Sequence, residues 1–210
     1  MKYGTQKTFR TFGKYFSLTL LLSISVISYA AAQAASQPDP LTRRKPMLHF
    51  ENEVDSIQSG TFRSVGGAFS LAIAEMPFET REYASETAKA KGIDAGKLYM
   101  WKFDKTIYTA FYSPPFDKDG NSEPTVFTDM ESATRKGIIA GHGKLISEKR
   151  IKFGDNEGTE FRYESAEGIK FIGRIFLIGD VGYQMVGAYA GDIGENEVLR
   201  TLDSFKLMPK

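Results

Sequence analysis

From Thr61 onward the apolar residues follow two rhythms, one of period two and one near 3.6. Thr61–Val65 and Ala68–Ala74 flank Gly66-Gly67, and Phe69, Leu71 and Ile73 alternate with small or polar neighbours, which predicts a hairpin on a two-glycine turn that ends by Pro77. Lys97–Phe103 and Thr106–Tyr112 form a second strand pair turned at Asp104-Lys105, with Tyr99, Trp101 and Phe103 on one face and Leu98 and Met100 on the other. Thr128-Asp129-Met130-Glu131 reads as a capping box, Thr128 being the N-cap. Met130, Ala133, Thr134, Gly137 and Ile138 follow at helical spacing, and Gly141 and Gly143 stop the helix.

Four more strands are predicted, Leu145–Ile151, Thr159–Glu164, Ile169–Ile178 and Tyr183–Ala190, joined by glycine- and aspartate-rich turns. Pairing Glu164 with Ile169 and Ile178 with Tyr183 places Phe161, Tyr163, Ile172, Phe176 and Met185 on one face, and Phe171, Ile175, Val186 and Ala188 on the other. In that register Gly173 stands opposite Ala188 and Arg174 opposite Gly187. Strands apolar on both sides need cover on both sides. The last element, Glu195–Phe205, carries one apolar stripe of Val198, Leu199, Leu202 and Phe205, with Asp192 as a possible cap. The expected fold is therefore α+β, a central antiparallel sheet covered by helices on both faces, an α/β/α sandwich.

The first 34 of the 210 residues break the pattern. Lys2, Lys7, Arg10 and Lys14 precede an apolar-to-hydroxyl run, Ser17–Ala30, and then small residues through Ala35, the order of a cleaved secretory signal peptide with its cut near Ala32 to Ala35. An uncleaved membrane anchor is the alternative, but the serines and Gln33 dilute the run below what a spanning helix requires. Residues 35–60, with Pro38, Pro40, Pro46 and the basic triplet Arg43-Arg44-Lys45, read as a linker and N-terminal extension, and residues 61–210 as one domain. The expected address is periplasmic or extracellular.

Charge narrows the partners. The chain has 27 basic and 26 acidic residues; loss of residues 1–34 leaves 23 against 26, a net charge of −3. A mildly acidic domain is ill suited to coating nucleic acid, and no membrane span is expected after cleavage. With no cysteine there is no disulfide, thiolate metal site or cysteine nucleophile.

The order of elements, together with Gly67-Ala68-Phe69-Ser70-Leu71, Gly158-Thr159-Glu160-Phe161-Arg162-Tyr163, Gly173–Asp180, Tyr183-Gln184-Met185 and Leu202–Leu207, resembles the exported PsbP-like domains of the PsbP/Mog1-type α+β fold. The likeness spans roughly residues 61 to 207 and rests on turns and strand alternation. It implies accessory protein binding without catalysis, by analogy of fold alone.

Catalytic patterns are sparse. Gly-x-Ser-x-Gly is absent, and Gly141-His142-Gly143-Lys144 fails as a phosphate loop in spacing and in having Leu145 after the lysine. A histidine metal site would have to pair His49 and His142 with carboxylates from distant chain positions, and His142 reads instead as an exposed turn residue. Asp117–Glu123 has the flavour of a calcium loop but lacks the glycine and glutamate at the required positions. Glu160, Arg162 and Glu164 share a strand face and read as an ion-pair ladder rather than an acid/base pair. Arg174, mid-strand among apolar residues, needs a carboxylate, either a structural one or that of a ligand, and is the one ligand-binding candidate. The expectation is an exported, non-catalytic accessory domain binding another envelope protein, without cofactor, metal or catalytic residues. The alternative is a small-ligand carrier or sensor with a pocket between sheet and helix.

Overall fold

A computed structural model describes residues 54–83, 90, 96–114, 126–190 and 194–208. The signal-peptide and most of the linker readings, His49, the calcium-loop reading and the Asp192 cap lie outside the described residues. Among the described residues two antiparallel sheets and the helices α1 and α2 form the structure, so the fold is a mixed α/β one. The strands are β1 (Ser56–Gln58), β2 (Thr61–Ser64), β3 (Phe69–Leu71), β4 (Glu79–Glu82), β5 (Lys97–Lys102), β6 (Thr106–Ser113), β7 (Lys144–Phe153), β8 (Asn156–Glu164), β9 (Lys170–Ile178), β10 (Val181–Tyr189) and β11 (Lys206–Leu207). The helices are α1 (Phe127–Ala140) and α2 (Gly194–Asp203). The large sheet runs β4-β5-β6-β10-β9-β8-β7, and the small one β1-β2-β3-β11.

The small sheet was not foreseen. It brings β1, from the segment read as linker and extension, and β11, from the tail after α2, onto the expected β2–β3 hairpin. Its Phe62, Phe69 and Leu71 pack with Tyr99, Trp101, Tyr112 and Tyr183 of the large sheet and with Phe205 after α2. Phe62 meets Trp101 edge-on at 4.9 Å, and Phe69 meets Tyr183 edge-on at 6.2 Å, the arrangement aromatic quadrupoles favour. The hairpin turn also differs from expectation. The left-handed residue is Ala68, at φ 49°, rather than a glycine. Gly67 is there for space, because a Cβ on it would lie 2.7 Å from the rings of Phe69 and Tyr112. Its carbonyl accepts from Tyr183 Oη at 3.0 Å, which ties the turn to the large sheet.

Strands β5 and β6 pair as expected, with Tyr99 and Trp101 in the core facing the small sheet, and Leu98 and Met100 in the cluster on the opposite face. The remaining registers differ from those assumed. Glu164 pairs with Lys170, one residue from the expected partner, and this odd shift turns β8 over. Phe161 and Tyr163 consequently join Ile175 and Phe171 instead of Ile172. Ile178 pairs with Val181, a shift of two that preserves the faces of β10 while moving Arg174 opposite Met185 and Gly173 opposite Val186.

Helix α1 buries Met130, Ala133, Thr134, Gly137 and Ile138, as its stripe predicts, against Phe161 and Ile175. Its N-cap is Val126, with no side-chain cap, so the Thr128–Glu131 capping box does not form: Thr128 lies inside the helix and Glu131 is buried elsewhere. Helix α2 buries Val198 and Leu202 on the other face, where Gly187 of β10 permits its close approach.

Candidate functional site

Strand β8 carries a carboxylate-centred network on each of its faces. On the α1 side Glu131, 3 % exposed, accepts a hydrogen bond from Thr159 Oγ1 at 2.6 Å and an ion pair from Arg150 Nη1 at 2.6 Å. The network extends outward through Arg135, whose Nε donates to Glu148 Oε2 at 3.0 Å. That guanidinium holds the Glu148 carboxyl below its ordinary range. Glu131 is the polar residue the sequence reading missed. The signal was present: residues 127, 131, 134 and 138 fall on one helical stripe, which places the glutamate on the packed face.

On the α2 side Glu160 stands directly opposite Arg174, whose Nε donates to Glu160 Oε2 at 3.0 Å while its Nη1 meets Asp203 Oδ1 at 2.7 Å. Arg162 Nε bonds the other Glu160 oxygen at 3.1 Å and its Nη1 reaches Glu195 at the start of α2. Glu195 also accepts from Tyr189 Oη at 3.2 Å, and Arg162 holds its carboxyl below the usual value. The Glu160–Arg162 ladder is thus present, and Arg174 has two internal carboxylate partners. The Arg174 side chain belongs to this face because alternate residues of β9 point to opposite sides, and Gly173 takes the other.

A cleft does lie beside Gly173, between α1 and the large sheet, lined by Thr109, Thr134, Phe161, Tyr163 and Gln184 among others. It has room for a body of about 10 Å³, the scale of one water molecule. Tyr163, which stacks on Phe171 with centroids 4.6 Å apart, has its hydroxyl pKa raised by burial. His142 is exposed in the turn after α1 at φ 55°, and among the described residues no cluster of His, Cys, Asp or Glu is arranged to hold a metal.

The outer surface of β7 combines charged with exposed apolar residues. This strand ends the large sheet, and its first seven residues, Lys144 to Arg150, are all exposed. Leu145 and Ile146 sit there at 40 % and 55 % exposure, and Ile139 at the end of α1 at 70 %. A bulge at Ile146 interrupts the β7–β8 ladder, which then runs unbroken from Ser147 to Phe153. Lys144, Lys149, Arg150 and Lys152 outnumber the single acid, Glu148. Among the described residues the three lysines make no ion pair, whereas Arg150 and Glu148 are engaged by α1.

No family model matches the chain, and no curated protein matches it. Solved structures do. Cyanobacterial PsbP (CyanoP) from Synechocystis sp. PCC 6803 is 10 % identical, covers 77 % of this chain and 98 % of its own, and superposes with a TM-score of 0.45. The Ran-binding protein Mog1p of Saccharomyces cerevisiae is 8 % identical over 72 % of this chain and 96 % of its own, with a TM-score of 0.38. A protein of unknown function from Pseudomonas aeruginosa, PA94, is 9 % identical over 55 % and 83 %, with a TM-score of 0.36. PsbP and Mog1, for which the resembled fold type is named, are thus both among the similar structures.

Proposed function

We propose that this chain is a non-catalytic accessory domain that works outside the cytoplasm by binding another protein of the cell envelope. The observation that carries the reading is the exposed apolar residues Ile139, Leu145 and Ile146 at and near β7, which ends the large sheet among the described residues, a surface of the kind that protein partners cover. We read the sheet as covered by α1 on one face and by α2 with the small sheet on the other, which leaves the terminal strands β4 and β7 as its borders. The N-terminal order of basic, apolar and small residues supports export with cleavage near Ala32 to Ala35. The engagement of Arg174 by Glu160 and Asp203 favours a structural role for the residue that was the best small-ligand candidate.

The test is a photo-crosslinking residue placed at Ile146 in the cell of origin, with the same residue at exposed Thr80 on the opposite edge as control. A discrete protein adduct at 146 and not at 80 supports the reading; equal labelling, or none at 146, overturns it. Fractionation and N-terminal sequencing of the same material decide the address. A mature terminus near Ala35 in the extracytoplasmic fraction is expected, and an intact chain in the cytosol would remove export from the proposal.

A further inference from the structure

Resting on that reading, we infer that β7, the terminal strand of the large sheet among the described residues, is a docking strand: an extended, acidic segment of the partner pairs alongside it. A terminal strand leaves roughly half of its backbone N–H and C=O groups pointing outward. From Ser147 to Phe153 the inner ladder is regular, so an unbroken edge of seven residues is offered, roughly 23 Å long. Lysines on an edge commonly discourage pairing. Here they accompany an exposed Leu145 and Ile146 at one end of the strand, which protection alone would have made polar.

Charge chooses the occupant. Lys149 pairs across to Glu160 on the α2 side of the sheet, and Lys152 to Glu157 on the α1 side. An added strand with acids three residues apart meets one lysine on each face, and an apolar residue towards its far end meets Leu145 and Ile146. A second copy of this chain fits less well, because each β7 carries four cations and one acid, so two such strands repel in net even where a register sets Glu148 opposite Lys149. Residues 38–46 fit no better, since Arg43-Arg44-Lys45 repeat the same sign and Pro38, Pro40 and Pro46 would break a ladder. Strand addition of this kind takes affinity from the backbone and specificity from alternate side chains.

The probe is a ten-residue peptide of valine and threonine with glutamates three apart and a leucine at one end, titrated against the purified protein by fluorescence anisotropy and followed by amide hydrogen exchange. Slowed exchange within residues 147–153 is expected on binding. Binding should weaken at least tenfold in the Lys149→Glu, Lys152→Glu protein, with a lysine-for-glutamate peptide, and with a peptide N-methylated at alternate residues. The last comparison leaves the protein unaltered, so it stands even if the double variant folds poorly. Equal binding of the acidic and basic peptides, protection confined to residues outside β7, or no binding by the acidic peptide overturns the inference. An adduct at Ile146 combined with any of these results leaves protein binding in place and removes only strand addition.

Discussion

Val198 of α2 sits so tightly over Gly187 of β10 that a Cβ on the glycine would fall 2.3 Å from Val198 Cγ1. Real carbon atoms do not approach so closely, so Gly187→Ala must displace α2 or twist β10. The expected loss is about 1–3 kcal/mol, read as a lower urea midpoint. Val198→Ala, which alone costs core volume, should recover part of the loss when combined with Gly187→Ala. A double variant whose cost is the plain sum of the two would show that the contact is not the cause.

Glu160→Gln is expected to destabilise by about 3 kcal/mol, because it leaves the mostly buried Arg174 guanidinium with Asp203 as its remaining carboxylate. Asp203 is 65 % exposed, and Asp203→Asn should cost less than about 1 kcal/mol. Replacing Glu160 and Arg174 together by methionine and leucine should restore much of the loss. The three midpoints in urea test the ranking, and an Asp203 effect equal to that of Glu160 would contradict it.

Glu131 anchors α1. Glu131→Ala removes the acceptor of the buried Thr159 hydroxyl and the partner of Arg150, at a cost of about 2 kcal/mol. Glu131→Gln keeps an oxygen for Thr159 and should cost less. Amide exchange separates this effect from general weakening: α1 amides should open faster than those of β10 in the alanine variant, and uniform acceleration would count against a local anchor.

Acid and alkali act on different residues. Arg135 and Arg162 lower the carboxyl pKa values of Glu148 and Glu195. Their stabilising contribution is therefore complete above the unfolded value near 4.5 and declines as the pH falls through the lower folded values. Glu148→Gln with Glu195→Gln should flatten the stability curve on the acid side of pH 4.5. Burial pushes the Tyr183 hydroxyl up to about 12 from 10.0, so its contribution is complete below pH 10 and is lost towards pH 12. Tyr183→Phe should blunt alkaline unfolding in that window, and an unchanged alkaline midpoint would show that another group controls it.

Most of the described strands and the helices α1 and α2 were legible because their apolar residues keep a clean period, as in Tyr99, Trp101 and Leu98, Met100. Registers were harder to read, because turn length rather than periodicity sets them. Ser165 closes on Ile169 around three residues, Ala166 to Gly168, with Gly168 at φ 79°, where a four-residue loop was expected. Gly179-Asp180 closes β9 and β10 in two residues, with Gly179 at φ 61° at the turn's first position, where a four-residue loop was again expected. The first error was odd and inverted a strand; the second was even and inverted nothing. Arg174 was recognised as needing a carboxylate, but the inverted strand hid the fact that Glu160 faces it. Strands as short as β1 and β11 carry too few residues to show a period, so the two outer strands of the small sheet had no sequence signal.

The strand order β4-β5-β6-β10-β9-β8-β7 joins two runs of neighbours in sequence, 4-5-6 and 7-8-9-10, through the single long-range ladder between β6 and β10. β6 gains its second neighbour only when Val181–Tyr189 have been synthesised, and the small sheet closes only with Lys206-Leu207. The core of the large sheet therefore waits for residues 181–189: a chain synthesised only as far as β9 holds local hairpins without a finished core.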